Sequence, residues 1–81
     1  MSLIDASNFK SLSIERLQPT MQTELLSSAL TDILNIAAKI DLDNSNQLAI
    51  LEKRFDDMME FFGDDPKFVE ILKEFKKELY K

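Results

Sequence analysis

The chain has 81 residues, which is one domain, and a domain this small hides only about 60% of the surface that its unfolded form exposes. Cysteine and histidine are absent, which excludes disulfides, thiolate chemistry, imidazole bases and nearly all zinc and haem sites. The net charge of −5 argues against general nucleic-acid or anionic-membrane binding, both of which use basic surface.

Apolar residues make up 44% of the chain, enough for one core, and two prolines with a single glycine favour helices and short turns over sheets. No apolar run approaches the ~20 residues that span a bilayer. Met1–Asp5 lacks the basic region and apolar core of a signal peptide, so a cytoplasmic location is expected.

Residues 1–18 carry apolar side chains at Leu3, Ile4, Phe9, Leu12, Ile14 and Leu17, which do not share one helical stripe. Interspersed serines and asparagine compete with helix for the local backbone. The expectation is an N-terminal arm with a short helix somewhere within residues 9–17, leaving 19–81 as a three-helix bundle.

Pro19 and Thr20 open the next helix. Its stripe runs Leu26, Leu30, Ile33, Ala37 and Ile40, widened by Leu25, Ala29 and Ile36, a face broad enough to touch two other helices. Leu34 lies off this stripe and is expected at the surface. Asp41–Asn46 reads as a polar turn, and Asn44 with Gln47 as a capping box for the helix that follows. That helix aligns Leu48, Leu51, Phe55, Met58 and Phe62 on one seam. Ile50 and Phe61 fall well away from the seam and flank Arg54 and Asp57.

Gly63 is the only glycine and follows this apolar run, the position of a left-handed residue that ends a helix. Asp65-Pro66 then reads as an N-cap with proline at the first helical position. The last helix carries Phe68, Leu72, Phe75 and Leu79, with exposed Glu70–Lys73, Glu74–Lys77 and Glu78–Lys81 pairs. Short turns between these seams predict an all-α, antiparallel arrangement of three main helices with the N-terminal arm across it.

One stretch carries a recognisable ligand pattern. Asp41, Asp43 and Ser45, an aliphatic residue at Leu48 and Glu52 resemble positions 1, 3, 5, 8 and 12 of an EF-hand calcium loop. The resemblance implies a calcium site at 41–52. It departs at the sixth position, where Asn46 replaces the glycine of the sharp turn, and there is no second loop to pair with. The alternative is a plain helix–helix turn, with no metal bound.

No catalytic set is marked anywhere, and no cofactor is implied. Around the hinge, Asp56, Asp57, Glu60, Asp64 and Asp65 gather negative charge, which reads either as a solvated face or as a dock for a basic partner. The surplus apolar positions Leu34, Ile50 and Phe61, with Arg54 and Asp57 among them, point to protein–protein contact, either with a second copy of the chain or with a larger protein. The leading expectation is therefore a non-enzymatic helical interaction module, and the alternative is a calcium-binding protein with one degenerate loop.

Overall fold

A computed structural model describes residues 1–41 and 43–81. It contains four α-helices among the described residues: α1 (Leu3–Glu15), α2 (Met21–Lys39), α3 (Ser45–Phe61) and α4 (Pro66–Leu79). Each begins on a side chain that accepts from an otherwise unpartnered backbone N–H. Ser2 Oγ accepts from Asp5 and Thr20 Oγ1 from Thr23, both at 3.2 Å. Asn44 Oδ1 accepts from Asn46 and Gln47, and Asp65 Oδ1 from Lys67. The expected Asn44–Gln47 box forms only in half. Gln47 Oε1 turns instead to the Asp41 N–H at 2.6 Å, because the Asn44 N–H already donates to the Asp41 carbonyl.

The N-terminal segment is not an arm. α1 is a full helix of 13 residues that starts at Leu3, six residues earlier than residue 9, and it packs against both α2 and α4. The residue that makes this possible is Ala6, which is completely buried. With Ala6 counted, Leu3, Ala6, Phe9 and Ile14 follow helical spacing closely enough to face the core, and Leu17 packs against it from just past the helix end. Ile4 and Leu12 are left outside. A small side chain at the contact lets the helix axes approach, so the packing face is marked by alanine rather than by a large apolar residue.

Each helix touches two others: α1 meets α2 and α4, and α3 meets α2 and α4. α3 and α4 run in opposite directions. Phe62 at the end of α3 packs on Phe68 at the start of α4 at 5.7 Å between ring centroids, Phe55 lies 6.1 Å from Phe75, and Glu52 near the start of α3 reaches Lys76 near the end of α4. The core runs through all four helices. The seams expected for α2, α3 and α4 supply Leu26, Leu30, Ile33, Ala37, Leu51, Phe55, Met58, Phe62, Phe68, Leu72, Phe75 and Leu79, all buried. Each fully buried Leu or Phe contributes roughly 1.5–3 kcal/mol, which a small domain needs to offset the entropy of ordering its chain.

The turn between α3 and α4 differs from the expected cap. No glycine among the described residues has positive φ, so Gly63 is not left-handed. It is required for another reason. A Cβ added there would stand 2.9 Å from the Met59 carbonyl oxygen and 3.4 Å from that of Glu60. The chain stays tightly wound past Phe61, with the Gly63 N–H on the Glu60 carbonyl and the Asp65 N–H on that of Phe62. Glycine is present because backbone approaches backbone, and Asp65-Pro66 opens α4 as its sequence indicates.

Candidate functional site: the exposed face of α2 and α3

The outer face of α3 carries Ile50, Arg54, Asp57 and Phe61, spaced four, three and four residues apart and so aligned on one side of the helix. All four are exposed. Ile50 is 56% and Phe61 65% accessible, high values for residues of this size in a chain short of core. Phe61 cannot turn inward because Met58 and Phe62 already occupy the core at this end. Its ring stands edge-on against Phe62, 4.9 Å between centroids, a favoured aromatic geometry.

α2 adds to this face from the side. Leu25 and Ala29 lie across a shallow groove from Met58, Phe61 and Phe62, and Asp32, Arg54 and Asp57 close its other end. The groove measures about 290 Å³ and is mostly apolar-lined. Leu25 is 43% exposed, and Met21, one turn earlier, is more exposed still. Met21 and Leu25 were not among the residues expected here. The signal for Leu25 was its place at the margin of the α2 stripe, whereas Met21 lies on the far side of the helix from that stripe and outside the groove lining. Among the described residues, neither Arg54 nor Asp57 makes an ion pair or side-chain hydrogen bond.

Leu34 does not belong to this face. It is half-buried and packs against the core. On the α2 wheel it falls on the flank of Thr23, opposite to that of Leu25 and Ala29. The Thr23 hydroxyl donates to the Gln18 carbonyl at 2.7 Å, which ties this flank to the segment joining α1 to α2.

The residues that resemble a calcium loop are spread over a turn and a helix. α3 already begins at Ser45, so Leu48 and Glu52 sit one and two turns up a regular helix. Asp41 Oδ1 accepts from the Asp43 N–H at 3.0 Å, and Leu42 lies outside the described residues. Glu52, the would-be bidentate ligand, is engaged elsewhere: Oε2 accepts from Lys76 Nζ and Oε1 from the Tyr80 hydroxyl, both at 2.8 Å. No three carboxylates among the described residues converge on a point where a metal could sit.

The Glu52–Lys76–Tyr80 cluster joins α3 to the end of α4. Tyr80 stacks edge-on against Phe55 at 6.1 Å, and Lys76 lies over both rings, 5.5 and 5.8 Å from their centroids. The hydrogen bond from Lys76, helped by that from Tyr80, holds the Glu52 carboxyl below the usual carboxylate range. Burial, then donation to Glu52, pushes the Tyr80 phenol well above its ordinary value. Each charged form has its partner, so the cluster reads as a structural tie.

Among the described residues no helix is long and apolar enough to cross a membrane. Comparison with protein-family models, with curated proteins and with solved structures gives no match.

Proposed function

We propose that this chain is a non-enzymatic, cytoplasmic protein–protein interaction module: an antiparallel helical bundle that offers the α2–α3 face to another protein, as a homodimer or as a small subunit on a larger partner. The observation that carries this reading is Phe61, a large aromatic exposed beside an apolar groove with its ring against Phe62. Exposed aromatics of this kind serve as interface anchors, since they bury much area and lose little rotamer freedom on binding. Arg54 and Asp57 supply the charged rim that fixes register.

The test is retention from a native-cell extract. The unmodified chain is compared with Phe61→Glu and Leu25→Glu on one hand and Lys73→Glu, on exposed α4 surface, on the other. A partner, including a second copy of the chain, that is retained by the unmodified protein and by Lys73→Glu and lost with both groove variants supports the reading. Retention that ignores the groove variants removes it.

A further inference from the structure

We propose that the occupant of this face is a second copy of the chain, with α3 lying antiparallel to the partner's α3 about a two-fold axis that crosses the helix midway between Arg54 and Asp57. This deepens the interaction-module reading and rests on it. The argument is the order of residues along the stripe. Read in either direction, Ile50, Arg54, Asp57 and Phe61 run apolar, charged, charged, apolar, with the two charges opposite in sign.

An antiparallel two-fold sets each residue against its mirror in that order. Ile50 meets the partner's Phe61, and Arg54 meets the partner's Asp57. The operation repeats both contacts, so two apolar and two ionic contacts form from four side chains per copy. The spacings of four, three and four are those of a helix–helix seam, and an antiparallel seam pairs its two kinds of position in this way. The flank agrees as well: exposed Lys53 comes alongside the partner's Glu60.

The groove gives the partner's Ile50 a seat. Leu25, Ala29, Met58 and Phe61 line it, and small Ala29 leaves the room that a branched side chain needs. Arg54 and Asp57 have no ion-pair partners of their own among the described residues, so pairing across the axis breaks nothing already made. A parallel arrangement would set Arg54 near the partner's Arg54. The other exposed apolar pair, Ile4 and Leu12 on α1, has Asn8 between its members and only the acidic Asp5 and Glu15 beside them, so an antiparallel pairing there brings no opposite charges together.

One helix pair lies at the small end of protein interfaces, near or below ~1,200 Å² in total, so self-association is expected to depend on concentration in the ~micromolar range or above. Sedimentation equilibrium reads it. The unmodified chain dimerises. Arg54→Asp and Asp57→Arg each place like charges together twice and weaken the dimer by about tenfold or more, while the two combined restore it. Helical circular dichroism stays unchanged in all three, as does the urea midpoint at concentrations well below the dimer dissociation constant, because both residues are exposed and unpaired within one chain.

Register is read with cysteines, of which the chain has none of its own. Ile50 and Phe61 lie about 16 Å apart along one helix, far beyond disulfide reach. Mixed Ile50→Cys and Phe61→Cys chains therefore cross-link to each other under the antiparallel register, and Ile50→Cys alone does not cross-link. A monomer at millimolar concentration, a dimer indifferent to charge inversion, or Ile50→Cys cross-linking with itself overturns the proposal. A monomer that still retains a groove-dependent partner from extract overturns only self-pairing. A monomer without one removes the module reading too.

Discussion

The Ser2 backbone N–H donates to the Leu79 carbonyl at 2.8 Å, tying the entry of α1 to the last turn of α4. That carbonyl belongs to the helix end, where no intrahelical donor remains, so the bond satisfies an orphan group on each partner. The charges nearby add little. Lys81 lies 3.1 Å from Glu78 and 3.9 Å from Asp5, with its own side chain exposed to solvent. α1 is held to the rest of the molecule by backbone and by packing.

Ala6 is the centre of that packing. Ala6→Leu inserts three carbons where helix axes already approach closely, and overpacking of this kind costs about 1–3 kcal/mol. The expected result is a lower urea midpoint for the whole domain, with α1 amides exchanging fastest. Ile4→Ala, on the exposed side of the same helix, is expected to change the midpoint little. Equal effects at the two positions would mean that α1 does not form part of the cooperative core.

How far the sequence reaches is clear from α1 against α4. In α4 large apolar residues sit at Phe68, Leu72, Phe75 and Leu79, and periodicity alone placed all four in the core. In α1 the decisive position is an alanine, which periodicity counts as weak, and the larger Ile4 and Leu12 point to solvent. Leu34 lies only about 70° round the wheel from the centre of the α2 stripe, near enough to pack against the core while staying partly exposed. Ile50, Arg54, Asp57 and Phe61 were legible on the α3 wheel. Leu25 was not, because a wide stripe does not reveal which margin a neighbour covers. Gly63 was identified as necessary but for the wrong reason: sequence shows that a glycine ends the helix, and only backbone geometry separates a positive φ from a close approach.

The Glu52–Lys76–Tyr80 tie predicts how stability changes at both ends of the pH scale. Glu52 has a lowered pKa in the folded chain, so its contribution is present above the ordinary carboxylate value of ~4.3 and is lost as pH falls through the lowered folded value. The pair is partly exposed, so the effect is at most ~1 kcal/mol, and Glu52→Gln should remove it and flatten that part of the acid limb. Tyr80 has a raised pKa, so its contribution is intact below ~pH 10 and is lost as pH rises through the folded value. It is the only tyrosine and there is no tryptophan, so tyrosinate absorbance reports it alone. Ionisation is expected above the ordinary tyrosine range and to move downward in Glu52→Gln. Ionisation at the free-tyrosine value in a fully helical protein would contradict the hydrogen bond.

Glu52 also bears on calcium. Its two carboxylate oxygens already accept from α4, and α3 holds it two turns from the Asp41–Asp43 turn. Millimolar calcium is therefore expected to leave the melting temperature unchanged, as is EDTA. A stabilisation that saturates with calcium and disappears in Asp41→Asn would show that the turn rearranges to bind it.

Substitution at Gly63 separates the two physical reasons for a glycine at the end of α3. If φ were positive, asparagine would be tolerated far better than alanine or valine, because its side chain accepts the left-handed region. Here φ is not positive, and the obstacle is the Met59 carbonyl oxygen, 2.9 Å from where any Cβ must stand. Alanine and asparagine share that atom, so both are expected to destabilise by a similar ~1–3 kcal/mol, less the few tenths that any side chain regains by restricting the unfolded chain. Relief requires the turn to unwind by a few tenths of an ångström, which disturbs the Gly63–Glu60 and Asp65–Phe62 backbone bonds and the seating of Phe68 on Phe62. Valine adds a branched side chain at the same point and should cost the most. Urea melts of the three variants decide the matter: alanine and asparagine together, with valine below them, follow from the close approach, whereas asparagine close to the native glycine would mean that the turn passes through a left-handed residue after all.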